Sequence, residues 1–490
     1  MKRKLILTSL VVLLTVGCAT NPATGRREIS LISEQQAIQI GLEQHPIIVE
    51  EFGVYDEIPE LNGLIDEIGR RIAASSDRPD LPWRFTLLDT PMINAMALPG
   101  GQIYVTRGIL ERMNSEDELA GVIGHEIAHV AAKHAEQRIS QAQLAQVGLV
   151  LGSVLAGPAA TQAYGGLAQL GAQLLFQRYS RTQETHADVL GTAYMAEAGY
   201  NPAGAANMLI VLQRLNSDGV SSLEQYFLSH PDPALRVQTV RNEISDLQER
   251  SGGAFSARPM DRDPFIRKMD GMLVGPSTLQ TTIRDNTVYQ RRHGIVMPVP
   301  SGWKATATPG TLFTMSPEQA KGDGFVVQEV PMSAIQGARS VQDGIRTLVQ
   351  RMNLRFVTST QATTRTGERF TVDLWTGKTQ QGVVSVETTQ FADADKIVVM
   401  MQITQGAQGN QSRMAGLLSA TRFDRELARR VEPARMRLGT VPAGTWSEAA
   451  ARATGNRGDA EIVAHINGFD VGDAVPRSLL LKLPQAVAGN

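Results

Sequence analysis

Residues His125-Glu126-Ile127-Ala128-His129 combine residue types and spacing suited to metal chemistry. They lie within Glu118–His134, a stretch with apolar helical spacing and no proline. On a helix, four residues advance about 400°, so His125 and His129 project from one face roughly 6 Å apart. Two imidazoles so placed can share one tetrahedral zinc, and Glu126 beside them can take a proton from an attacking water. A catalytic zinc also needs a third protein ligand and an open position. The candidate lies downstream, where Glu184 and Asp188 stand four apart on one predicted helix face. Glu184 can ligate the metal while Asp188 accepts the N–H of a ligand imidazole and fixes its tautomer. Alone, such an acidic pair reads as a solvated helix face; the upstream HExxH turns the reading towards metal. By the same helical geometry, His186 (about 200° from Glu184) and His134 (about 180° from His125) should point away from the metal.

The surrounding chain must position these groups. Ser33–Gln44 and Leu61–Ala74 have helical spacing, and Trp83–Asp89 alternates like a strand. Asn94–Gly108 reads as strand, Gly-Gly turn, strand, with the HExxH helix following from about Ser115. Ser140–Phe176 is rich in Ala, Gly, Leu and Gln and is broken at Gly157-Pro158. Two core helices joined by a turn are the favoured reading there; a mobile apolar lid, or a patch touching membrane or partner, is the other. Helical character resumes through Glu184–Gly199, Ala203–Leu215 and Glu224–Glu249. Gly252-Gly253, Pro259 and Pro264 mark a linker. From Thr287 to about Thr404, short alternating runs such as Gly324–Val330 surround a helix at Val341–Met352, giving an α+β domain around an antiparallel sheet. His293 stands alone there, with no catalytic constellation beside it.

At 490 residues the chain is too long for one core, and two to four domains are expected. The expected fold is α+β and multidomain: a mainly helical zincin-type catalytic domain with a small sheet, an antiparallel-sheet domain and a small terminal module. The segments are 1–18, 19–250, a linker at 251–285, 286–425, and 430–490. Apolar content of 42% and charged content of 20% describe a globular chain. A net charge of −2 with no long basic block makes nucleic acid an unexpected partner. Lys2, Arg3 and Lys4 followed by the apolar run Leu5–Val16 read as a signal peptide, too short to span a bilayer. The run ends at Thr15-Val16-Gly17-Cys18, which resembles a bacterial lipobox with threonine where leucine is usual. Cys18, the only cysteine, is then the lipidated first residue of the mature chain, which can form no internal disulfide. Ala19 in place of aspartate resembles an outer-membrane sorting signal. The expected location is the periplasm of a Gram-negative bacterium, on a lipid tether to the outer membrane.

HExxH, then Glu184-x-x-Ala187-Asp188, then Ser229–Arg236 resemble the HtpX/BepA-type zinc metallopeptidases of family 48, which are gluzincin-like. Asn21–Gly25, Asn94–Gly101 and Tyr179-Ser180-Arg181 also match, so the resemblance covers about residues 19–250. It implies one Zn2+ per chain, with His125, His129 and Glu184 as ligands and Glu126 as general base. His230 matches the family's His-Pro motif. It can stabilise a tetrahedral oxyanion, occupy the fourth zinc position and hold the site latent, or merely cap a loop before the helix that Pro231 opens. Arg236 is expected to anchor an acidic residue near the site. Asn94, Ala95 and Ala97 would form the sheet edge that pairs with extended substrate through its backbone. The tail shows no period of about 34 residues, so the helical repeats of the BepA pattern and their partners are not implied. Met297–Trp303 resembles the start of PsbP-like domains. Leu438–Trp446, Ile466-Asn467-Gly468 and Leu479–Leu483 resemble a LysM-type module that lacks the usual acidic residue before its threonine. Peptidoglycan binding and a degenerate structural cap are both open. The expected activity is peptide-bond hydrolysis on unfolded or misassembled envelope proteins. A chaperone or assembly factor with a largely latent zinc site is the alternative.

Overall fold

The computed structural model describes residues 18–142, 178–217, 226, 229–230, 233–251, 260–275, 281–307, 311–318, 323–379, 382–406, 411–431, 434–476 and 479–485. The expected signal segment before Cys18 and most of the Ala/Gly-rich stretch, 143–176, lie outside the described residues. The chain forms two compact units, Met1–Val274 with Arg435–Gln485, and Gly275–Ala434 with Ala486–Asn490. Among the described residues no helix is long and apolar enough to cross a membrane.

The first unit opens with β1 (Cys18–Thr20) and β2 (Arg27–Ile29), paired antiparallel. Helix α1 (Glu34–Phe52) starts at a Ser33–Gln36 capping box. It runs past the expected end near Gln44 and contains Pro46, because Ile48 and Phe52 further on are buried against the sheet. That burial outweighs the hydrogen bond proline cannot make. Helix α2 (Pro59–Ala73) has proline in its first turn and buries Leu61, Leu64, Ile65, Ile68 and Ile72, one stripe at 3.6-residue spacing. Strands β3 (Arg84–Leu88), β4 (Ala95–Leu98) and β5 (Gln102–Thr106) make a sheet of order β3-β5-β4, with β3 parallel and β4 antiparallel to β5. Gly100 and Gly101 turn β4 into β5 at φ 79° and 99°. A Cβ on Gly100 would lie 2.4 Å from Ile38 Cα, so the turn requires glycine for conformation and for space.

Helices α3 (Arg107–Leu110), α4 (Glu116–Ala131), α5 (Arg181–Glu197), α6 (Ala203–Ser217) and α7 (Pro233–Arg250) follow. Ser115 caps α4 by accepting from the Glu118 N–H, and Glu116, Asp117 and Glu118 complement the positive end of the helix dipole. Helix α4 is buried on nearly every face, with Leu119, Ile123 and Ile127 in one core with Ile65, Ile68 and Leu87. Each such side chain contributes roughly 1.5–3 kcal/mol. Helix α8 (Arg262–Arg267) and β6 (Leu273–Val274) end this run.

The second unit is built from antiparallel sheet. Strands β7 (Thr281–Arg284), β8 (Thr287–Gln290), β9 (Ile295–Pro298) and β17 (Arg422–Phe423) form a four-stranded sheet of order β17-β9-β8-β7. Strands β10 (Trp303–Thr306), β11 (Phe313–Pro317), β12 (Gly324–Pro331), β13 (Arg355–Thr363), β14 (Arg369–Thr379), β15 (Gly382–Asp393) and β16 (Lys396–Gln405) make a seven-stranded sheet of order β10-β11-β12-β16-β15-β14-β13. A helix, α9 (Val341–Gln350), places Ile345 and Val349 in one cluster with Trp375 and Ile397 of that sheet. His293 is not isolated: its ring nitrogens lie 2.7 Å from Asp393 and 2.7 Å from Glu329, neighbours that only the sheet brings together.

The C-terminal segment has the order β18 (Ala434–Thr440), α10 (Trp446–Ala453), α11 (Ala460–Ile466), β19 (Leu480–Gln485). Trp446, Ala450, Val463 and Leu481 form its own core. Strand β18 sits between β19 and β6, which joins this segment to the first unit.

Candidate metal centre

Helices α4 and α5 carry the candidate ligands, and glycines let them approach. A Cβ on Gly191 would lie 2.7 Å from the backbone N of His125, and one on Gly124 would lie 2.8 Å from the Gly191 carbonyl oxygen. No side chain fits between the backbones beside His125, which brings the first turn of α5 onto the HExxH face. On α4's other flank a Cβ on Gly204 would lie 2.3 Å from the Asp117 carbonyl, so α6 fixes the start of the same helix.

His125, His129, Glu184 and His230 are all buried, and one donor atom from each lies within 4.8 Å of the others. His125 Nε2 is 3.0 Å from His129 Nε2, and Glu184 oxygens are 3.7 Å and 3.5 Å from those two atoms. Ligands about 2.0–2.1 Å from a tetrahedral zinc are themselves about 3.3 Å apart, so this donor set fits such an ion. Glu126 Oε2 is buried with no hydrogen-bond partner. Glu184 Oε2 lies 2.8 Å from Arg236 Nη1 without the geometry of a hydrogen bond. Buried carboxylate oxygens left in this state fit a cation and a reacting molecule between them.

Asp188 Oδ1 lies 3.0 Å from His125 Nδ1, which turns the Nε2 lone pair towards Glu184. Arg236 of α7 donates to both Asp188 oxygens, at 2.9 Å and 2.8 Å, and so ties the third helix to the centre. His230 Nδ1 is 3.0 Å from Glu184 and its Nε2 is 3.8 Å from Glu126. His186 is half-buried and stays out of the donor cluster. His134 departs from expectation, since its Nδ1 lies 2.8 Å from His129 Nδ1. The α-helix ends at Ala131, and Lys133 at φ 54° swings the chain back, so helical phase no longer applies. No glycine or proline announces that turn. When Nε2 of His129 serves as the ligand atom, Nδ1 carries the proton and donates to His134 Nδ1. Tyr179 stacks on His129 at 3.8 Å between ring centroids, and Tyr226 stacks on His230 at 5.0 Å. Neither tyrosine lies on a periodic pattern that would single it out.

The charges follow burial and partners. Burial pushes the Glu126 carboxyl upward, towards a group that takes and returns protons. Burial would raise Glu184 and Asp188 as well, but Arg236 beside both holds them below the usual carboxylate range. Burial drives His129 well below its ordinary value, so it is neutral and fit to ligate.

Among the described residues, strand β4 is an edge strand of its sheet. Thr106 N–H donates to the Asn94 carbonyl, so alternation along an antiparallel pair turns the backbone groups of Ala95 and Ala97 away from β5. The Ala95 N–H is held by Asn94 Oδ1 at 3.0 Å. Asn94, Ala95 and Ala97 are themselves buried, unlike an ordinary exposed edge. Ala95 also rims a hollow of about 440 Å³, mouth included, that starts at His125 and Glu126 and continues between Val122, Met208 and Leu212.

Two histidines of an HExxH helix and a glutamate of a second helix, with a buried carboxylate oxygen lacking a hydrogen-bond partner beside them, make up a donor set of the metallopeptidase type. Residues 59–244 match the model of Peptidase family M48. The chain is 32% identical over 204 residues to the beta-barrel assembly-enhancing protease of Yersinia pestis, covering 40% of this chain and 41% of that protein. It is 26% identical over 232 residues to the mitochondrial metalloendopeptidase OMA1 of Schizosaccharomyces pombe, covering 46% of this chain and 66% of that protein. To the metalloprotease LoiP of Escherichia coli it is 31% identical over 153 residues, covering 31% and 59%. The chain therefore spans about two fifths of the length of the first of these relatives.

Proposed function

We propose that this chain is a zinc-dependent endopeptidase of the bacterial cell envelope that acts on unfolded or misassembled proteins. The observation that carries the reading is the buried His125–His129–Glu184 set with Glu126 Oε2 left without a hydrogen-bond partner beside it. When bound there, zinc supplies Lewis-acid chemistry, polarising a carbonyl and making water more acidic. Glu126 takes the proton of the attacking water and passes it to the leaving amine, a role its raised carboxyl suits. The outward backbone groups of Ala95 and Ala97 align an extended substrate by main-chain hydrogen bonds once Asn94 releases the Ala95 N–H. Alignment by backbone gives loose sequence preference, which suits damaged proteins. Lipidation at Cys18 and residence at the outer membrane of a Gram-negative bacterium belong to the same proposal and rest on the sequence around Cys18. The test is Glu126→Gln in purified protein. Zinc content should stay at one per chain while casein cleavage and self-cleavage fall at least about a hundredfold. Cleavage at the wild-type rate would refute the assignment.

A second reading is favoured by His230, which sits 3.0 Å from Glu184 and within the donor cluster. Four protein ligands would close the centre and leave a chaperone or assembly factor that is latent at rest. Under that reading, Glu126→Gln restores envelope integrity to a deletion strain as well as wild type does, and His230→Ala raises basal cleavage.

A further inference from the structure

The last strand carries a lysine that water does not reach. Lys482 on β19 is fully buried, and its ammonium donates to the carbonyls of Glu111 at 2.8 Å and Met113 at 2.7 Å. A strand lysine ordinarily keeps its head in water. Here the head enters the turn between α3 and α4, where carbonyls at a helix end lack intrahelical partners. The next residues build the start of the metal-bearing helix: Asn114 N–H donates to Glu118 at 2.6 Å, and Ser115 caps it. Glu118 is itself buried; burial pushes its carboxyl up, and Lys482 and Arg262 beside it act against that rise.

The Asn467-Gly468 turn completes the contact. Asn467 Oδ1 accepts from the Lys482 N–H at 2.8 Å and from Arg262 at 2.9 Å. Its Nδ2 donates to the carbonyls of Val463 and Lys482, both at 2.8 Å, so both ends of the amide are engaged. Arg214 of α6 donates to the Gly468 carbonyl at 3.1 Å and pairs with Asp470 at 3.4 Å. Two backbone bonds between Met436 and the β6 region, Gly271 N–H to Met436 O at 2.8 Å and Met436 N–H to Met272 O at 2.7 Å, hold the other side.

We propose that residues 435–485 are a built-in clamp on the N-terminal end of the metal-bearing helix, with Lys482 as its positioning residue, and not a free glycan-binding arm. Glu118 precedes His125 by two helical turns, about 10 Å of rigid, buried helix, so a shift at the clamp reaches the ligands. A glycan docked at Asn467-Gly468 would have to break the bonds that hold the clamp. The proposal rests on the metal reading of the site and does not require that the chain cleave peptides.

The test uses full-length protein loaded with Zn(II), with Lys482→Met, which keeps the stem but not the charge, and Asn467→Ala. Arg214→Ala, at a partly exposed residue, loosens the rim alone and serves if the buried variants fail to fold. Zinc loss to a chelator should quicken about tenfold in the two buried variants and by less in Arg214→Ala. Amide-hydrogen exchange should rise over residues 112–125 and stay unchanged over 369–405. Wild-type metal retention and exchange in every folded variant would overturn the clamp. Full-length wild type is expected to stay in the supernatant with sedimented peptidoglycan, and pelleting that Asn467→Ala abolishes would overturn the exclusion of a glycan arm. If wild type binds no zinc, the metal reading fails while the exchange measurement still decides the clamp.

Discussion

His134 shows how one side chain can matter without touching the metal. Its Nδ1 is the partner that fixes the tautomer of His129. Burial, reinforced by His186, drives the His134 imidazole down to about 3, so it stays neutral and can accept. His134→Phe keeps the ring's bulk against Tyr179 and His186 but removes the acceptor. The expected result is a loss of about 10- to 100-fold in zinc affinity by chelator competition, with the far-ultraviolet circular dichroism unchanged. Undiminished affinity would reduce His134 to a packing residue.

Helix approach is the next scale. Gly124→Ala places a methyl 2.8 Å from the Gly191 carbonyl, a backbone atom that cannot rotate aside. Separating α4 from α5 should destabilise the first unit by about 1–3 kcal/mol and lower zinc content, read by thermal melting and metal analysis. In the second unit, Arg346 on α9 makes two hydrogen bonds of 2.7 Å to Asp373 on β14 (Arg369–Thr379), and Ser359 donates a third. Burial would raise the Asp373 carboxyl, but these bonds hold it below the ordinary aspartate value. A carboxyl depressed by folding contributes stability above its unfolded pKa, near 3.9, and loses it as pH falls through the lower folded value. Wild type should therefore lose stability below about pH 4. Asp373→Asn should be weaker by about 1–3 kcal/mol at pH 7 and flatter between pH 4 and pH 2, by urea unfolding of the full chain. An unchanged acid profile would remove Asp373 as its source.

At the scale of the molecule, the metal should act as a folding ligand for the first unit alone. Its donors come from α4 and α5 and from His230 just before α7, so an ion bound there stabilises all three against separation. Free zinc at about a thousand times Kd adds about 4 kcal/mol. Chelation should therefore lower one of two calorimetric transitions and leave the other in place. Movement of both would mean that the two units unfold together.

The ligand spacing could be read from the chain because a helix converts a four-residue interval into one face, which is local geometry. The same holds for the capped start of α4, the Gly-Gly turn and the alternating strands of the second unit. His134 could not be placed that way, since a single residue at positive φ ended the helix one turn early. Nor could the contacts of His293 with two carboxylates, or of Lys482 with Glu111 and Met113, be placed; for Arg236 the sequence pointed to an acidic partner near the site, but not to Asp188 in particular. Each joins residues far apart in sequence, and a lysine in an apolar strand carries no mark that its head will be buried. The sequence by itself determined a metal-binding helix and its chemistry; only the tertiary structure decided which distant side chains orient its ligands and that Lys482 of the last strand closes against the turn at its start.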